Sequence, residues 1–200
     1  QVATEGHTDF PATHHIFNYE NDAILNTLRN AGLQNDVNDK VKVMFVPSYL
    51  NGNDGIFNLT YTDFLSAFDF SVFPSYYEPW GYTPLESVSV GIPTLTTDLS
   101  GFGKFVQNEG GAGEAVTVVE RKEGFGNQVV DAIVAKIRDF IGKSKDEMAQ
   151  IATDALKLAE KLCWKELIVN YQKAWGMALE KSGSRHYMLE SVPYADMLHE

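Results

Sequence analysis

The most unusual stretch of the chain is Phe73-Pro74-Ser75-Tyr76-Tyr77-Glu78-Pro79-Trp80-Gly81-Tyr82-Thr83-Pro84-Leu85-Glu86. It joins an apolar run to a helical pattern and sets two carboxylates among five aromatic side chains and a glycine. In open α/β sheets, ligands bind at the edge where a strand gives way to a helix N-terminus. Gly81 lets a ligand approach the backbone. Thr83, with Pro84 as the first helical residue, leaves free N–H groups that favour phosphate through the helix dipole. Tyr76, Tyr77, Trp80 and Tyr82 suit stacking on a sugar or a base, and packing of a rigid loop suits them better still. Glu78 reads most simply as a solvated loop acid. Glu86 has a definite structural competitor, because Thr83-x-x-Glu86 is itself a capping box.

Elements on either side must position this loop. Val41–Val46 is β-branched and aromatic, ends at Pro47, and is expected as a strand. Phe70–Phe73, Pro93–Thr97 and Ala115–Val119 are expected as three more strands. Helices are expected at 21–31, at 61–68 with Thr60 as N-cap, at 83–90 and near 102–108. This alternation predicts a parallel sheet with helices on both faces. The last third is helical. Val130, Ile133, Val134, Ile137, Phe140 and Ile141 form one stripe, and Ser144-Lys145-Asp146-Glu147 is a capping box opening the next helix. Trp164 to Leu179 continues in helical phase, and residues 182–200 read as a tail.

Composition narrows the partners. Two hundred residues with 44% apolar side chains and a net charge of −11 describe a globular acidic chain and argue against nucleic acid or an anionic membrane surface. A single cysteine, Cys163, points to a reduced, cytoplasmic setting and reads as a small core residue. The missing initial Met suggests that the chain begins inside a longer protein. Between Lys42 and Lys104 there is no Lys or Arg, only six acids, so an anionic ligand there needs backbone donors or cations from elsewhere. His14 and His15 read as a solvated pair, and no histidine has metal-ligand spacing. The glycine runs at 110–113 and 124–126 read as turns rather than phosphate loops.

FPSYYEPWGYTPLES and GIPTLTTDLSGFG closely resemble the signature of the glycogen synthase family, the eukaryotic-type branch of retaining glucosyltransferases. Pro11-Ala12-Thr13-His14, Arg29-Asn30-Ala31-Gly32-Leu33, Tyr61-x-x-Phe64 and Trp164-Lys165 extend the resemblance over about residues 10–180. It implies the second of two Rossmann-like domains facing a cleft: a doubly wound parallel sheet followed by C-terminal helices, over residues 1–181. Glu78 and Glu86 match the family's two motif acids. Glu78 would contact and orient the donor glucose, and Glu86 would bond the ribose hydroxyls. The Trp80-Gly81 backbone would touch the glucose, Tyr82 and Thr83 would hold the diphosphate, and Tyr61 would stack on the uracil.

The reaction so implied moves glucose from UDP-glucose to the non-reducing end of an α-1,4-glucan such as glycogen, with retention. It needs no metal and no cofactor. The partner domain would be the N-terminal half of the same protein, which carries the cations facing the diphosphate, so this chain alone would be inactive. Assembly into a homo-oligomer is compatible with the resemblance. One departure stands out: the helix at 144–162 carries only Lys145, Lys157 and Lys161 where animal and fungal members have an arginine-rich sensor of glucose 6-phosphate. That form of activation is expected to be absent. Two alternatives are a non-catalytic glucan- or nucleotide-binding module, and a transferase using another nucleotide sugar such as ADP-glucose.

Overall fold

The computed structural model describes residues 11–109, 113–122 and 126–191. His7, His199, most of the two glycine runs and the chain beyond 191 fall outside the described residues. The chain divides into two compact units, residues 1–69 and 70–200.

In the first unit a 3-10 turn, Tyr19–Asn21, precedes helix α1, Ala23–Asn30. Asp22 caps α1 by accepting from the Leu25 N–H at 2.9 Å. Helix α2, Tyr61–Leu65, is shorter than its apolar pattern implies, and Thr60 caps it by accepting from the Asp63 N–H. The stretch 41–46 does not form the expected strand. Its β-branched residues give extended backbone, but individual groups take the hydrogen bonds a neighbouring strand would have taken. The Asn35 side chain binds both the N–H and the C=O of Val43, at 2.8 and 2.9 Å. Phe45 exchanges main-chain bonds with Pro11 and Thr13 in one isolated parallel bridge.

The loop at 54–58 winds around a carboxylate. Asp54 accepts from the N–H groups of Ile56, Phe57 and Asn58 and from His14 Nε2 at 3.1 Å, while the Thr13 hydroxyl meets His14 Nδ1 at 2.8 Å. His14 is therefore a half-buried brace rather than half of a solvated pair; only His15 is exposed. Burial alone would raise the pKa of Asp54, but the three loop N–H donors outweigh it and hold the group at about 2, below its ordinary 3.8. A lowered carboxylate pKa means that the folded state favours the ion. Its contribution is complete above about pH 4 and is lost as pH falls toward 2. Asp54→Asn is expected to destabilise this unit at neutral pH and to flatten that acid-side loss, both readable from thermal melts across pH 2–7.

The second unit is a mixed α/β body. Strands β1 (Ser71–Phe73), β2 (Thr94–Thr97) and β3 (Val116–Val119) form a parallel sheet in the order β1-β2-β3. Helix α3 (Tyr82–Ser89) links β1 to β2, and α4 (Gly101–Glu109) links β2 to β3. Three helices follow: α5 (Gly126–Ile141), α6 (Lys145–Lys161) and α7 (Trp164–Ser191), the last running through the expected tail boundary.

Side chains alternate across the sheet. Val116 and Val118 pack with Val88 of α3, Phe102 and Val106 of α4, and Ile151, Ala155 and Leu158 of α6. On the other face, Val72, Leu95 and Val119 pack with Val129 and Ile133 of α5. The central strand is threonine-rich and fully buried, so its hydroxyls need partners. Ser71 Oγ binds Thr94 Oγ1 at 2.7 Å and Ser87 Oγ at 2.6 Å, joining both strands to α3. Thr96 Oγ1 meets Ser100 Oγ at 3.1 Å.

Two helix readings shift in detail. Ser144 and Glu147 form the expected capping box at α6. In α5, however, Val129 and Phe140 are buried while Val130, Val134 and Ile141 are exposed, because the helix meets the sheet along a neighbouring stripe. Cys163 is exposed in the turn between α6 and α7 rather than in the core. Along α7, Trp164, Tyr171 and Trp175 pack with tilted rings at 5.5 and 6.0 Å between successive ring centroids. No helix among the described residues is long and apolar enough to cross a membrane.

Candidate functional site

All three strands point their C-terminal ends at one edge of the sheet, and three loops meet there: 74–81 after β1, 98–100 after β2 and 120–122 after β3. The first loop is clamped to the second. The Glu78 N–H donates to Leu99 O at 3.1 Å, the Gly101 N–H to Glu78 O at 3.0 Å, and the Phe102 N–H to Trp80 O at 2.6 Å. The Thr97 hydroxyl donates to Ser75 O at 2.7 Å. So close an approach needs Gly101, where a Cβ would sit 2.2 Å from Pro79 O.

The aromatics divide their tasks. Trp80 turns inward, edge-on to Phe102 and Phe105 at centroid distances of 6.0 and 5.8 Å. Gly81, which follows it, is buried. Tyr76, Tyr77 and Tyr82 stay 78, 80 and 69% exposed.

Helix α3 begins two residues earlier than expected. Gly81, not Thr83, is its N-cap, with φ +107 and ψ +77 and no side-chain cap. Thr-Pro is a common way to open a helix, but here the glycine's left-handed backbone makes the turn, and Tyr82 and Thr83 become the first helical residues. Pro84, at the third position, has no N–H to satisfy. The N–H groups of Tyr82 and Thr83 have no acceptor among the described residues. The proposed capping box between Thr83 and Glu86 is not formed. Instead Tyr82, Thr83 and Glu86 share the exposed face of α3, opposite buried Pro84, Ser87 and Val88.

The carboxylates of Glu78 and Glu86 make no hydrogen bond or ion pair among the described residues. Glu78 is half-buried beside Gly81, while its main chain is held on both sides. Uncapped N–H donors and two unpartnered carboxylates therefore share one rim. Together these groups can bind an anion and, beside it, hydroxyls or developing positive charge.

Tyr61 belongs to the first unit, where it opens α2 behind Thr60 and is 37% exposed. The structure thus groups six of the seven expected site residues on one sheet edge and places the seventh in the other unit. One residue at the edge escaped the sequence reading. Arg121 lies two residues beyond β3, so the strand's end already placed it at this rim; its partners are distant in sequence and left no local signal.

A sequence profile of the family described as glycogen synthase matches residues 3–197, almost the whole chain. This chain belongs to the glycogen synthase family. Among curated relatives, glycogen [starch] synthase isoform 1 of Saccharomyces cerevisiae is 34% identical over 174 residues, covering 85% of this chain and 25% of its own length. The glycogen [starch] synthase of Caenorhabditis elegans is 36% identical over 171 residues, 84% of this chain and 25% of its own. The liver glycogen [starch] synthase of Rattus norvegicus is 33% identical over 199 residues, 97% of this chain and 28% of its own. The chain thus spans about a quarter of the length of the glycogen synthases it matches.

Proposed function

We propose that this sheet edge is the donor half of a retaining glucosyltransferase site, which moves glucose from UDP-glucose to the 4-OH at the non-reducing end of an α-1,4-glucan. The observation that carries the reading is the uncapped, glycine-opened start of α3 with Glu78 and Glu86 unpartnered on the same rim. The N–H groups of Tyr82 and Thr83 receive the diphosphate. A helix N-terminus contributes about 0.3–1 kcal/mol toward an exposed anion, and more once the ligand excludes water. Glu86, one turn along the same helix face, accepts from the ribose hydroxyls.

As the bond from glucose to diphosphate breaks, negative charge grows on the leaving oxygen and positive charge on the anomeric carbon. The α3 N-terminus answers the first, and Glu78 orients the glucose and answers the second. The main chain at Trp80 and Gly81 seats the sugar. Residues 1–181 act as a Rossmann-like, doubly wound nucleotide-sugar domain in this account, and an N-terminal domain supplies further cations and the glucan-facing wall. The chain's net charge of −11 then describes one half of a cleft.

A donor screen on the full-length protein tests the reading, with glycogen as acceptor. UDP-glucose is expected to support incorporation far better than ADP-glucose. Preference for ADP-glucose would reassign the nucleotide, and binding of UDP without any transfer would leave a binding module in place of an enzyme.

A further inference from the structure

We propose that Arg121 is a positioning residue for the loop that carries Glu78, acting through Tyr76 and the Pro74 carbonyl. The inference rests on the role given to Glu78 above. No Lys or Arg occurs between Lys42 and Lys104, and the end of β3 delivers a cation to this edge. The guanidinium carbon of Arg121 lies over the Tyr76 ring, 3.3 Å from its centroid. Its Nη1 donates to Pro74 O at 2.9 Å, and its backbone N–H donates to Asp98 Oδ1 at 2.8 Å. One residue therefore ties together all three loops of the edge.

Tyr76 is too exposed to be fixed by burial. The guanidinium over its ring and the Thr97 hydroxyl on Ser75 O hold the entry to the loop from two sides. Two residues later, Glu78 is already fixed to Leu99 and Gly101. Only the span 76–77 is then left to set where the Glu78 carboxylate points, and Arg121 controls the start of that span. The task needs arginine. A planar guanidinium can stack on a ring while an in-plane N–H donates sideways to a carbonyl, which a lysine ammonium cannot do together.

Steady-state kinetics with UDP-glucose on the full-length protein test this. Arg121→Ala is expected to lower kcat roughly tenfold, as misplacing a reacting group does, with the donor KM within about twofold of wild type. Arg121→Lys is expected not to restore the rate. Tyr76→Leu, which leaves Arg121 in place, is expected to give the same loss, and the double variant to be no worse than either single one. Unchanged kcat in Arg121→Ala, full recovery by Lys, a rise in KM alone, or additive losses in the double variant would each overturn the proposal. Glu78→Gln run in parallel separates the two ideas. If it is inactive while Arg121→Ala is fully active, only the role of Arg121 falls; if it keeps full activity, the role of Glu78 falls and that of Arg121 with it.

Discussion

Glu78→Gln is expected to lower kcat for glucose transfer by about 10²–10³-fold, the scale of losing one preorganised charge at the reacting centre. The substitution keeps shape and removes only the ion. Nothing in the fold depends on that ion: the carboxylate has no partner among the described residues, and main-chain bonds from Leu99 and Gly101 hold the segment. Stability should therefore stay within about 0.5 kcal/mol of wild type. The donor KM should also change little, because in the proposed site the diphosphate rests on the Tyr82 and Thr83 amides rather than on Glu78. A fall in kcat with KM and melting temperature preserved is the signature of a group acting in the transition state. A matching rise in KM would instead make Glu78 a ground-state contact.

Gly81→Ala is expected to act on both folding and donor binding. Gly81 has φ +107, and an added Cβ would lie 3.2 Å from Pro84 Cγ, 3.5 Å from Glu78 Cγ and 3.6 Å from Phe102 Cβ. The strained dihedral costs about 1–3 kcal/mol. The crowding pushes against the helix start, the loop that carries Glu78 and the α4 core together. Stability should drop by that amount, and UDP-glucose KM should rise because the amides of Tyr82 and Thr83 are displaced. Gly32 is the control. It also has positive φ, +68, but a Cβ there would meet nothing within 4 Å. Gly32→Ala should cost about 1–2 kcal/mol in the dihedral alone and leave donor KM unchanged. Equal KM shifts in the two variants would show that the position of Gly81 is not special.

The parallel sheet was legible because its signals are local: apolar runs closed by Pro74 and by the Gly91–Pro93 turn, and helical periodicity between them. Val41–Val46 carried the same composition without forming a strand, since composition specifies extended backbone and not who pairs with it. There the pairing went to the Asn35 side chain and to Pro11 and Thr13, contacts remote in sequence. The start of α3 lies two residues before Thr83-Pro84 would place it, for a related reason. Thr83-Pro84 is a good local helix opener, but the backbone bonds from Leu99, Gly101 and Phe102 fix the turn at Gly81 instead. The same shift removed the capping-box role for Glu86 and left its carboxylate available. Trp80 packed inward while its neighbours stayed exposed, a division no aromatic count could reveal. His14 with Asp54, and Arg121 with Tyr76, are likewise long-range pairs, visible only once the chain is folded.

A nucleotide sugar is proposed to bind at the C-terminal edge of the sheet. Titrating UDP-glucose into the isotope-labelled chain and following the backbone amide resonances tests it most directly. The largest shifts are expected at Gly81, Tyr82 and Thr83, with smaller ones at Glu78 and Glu86, and none at Glu114, Asp139 and Lys143, which line a cavity at the opposite edge. Silence across 78–86 at saturating ligand, or shifts centred on that opposite edge, would contradict it.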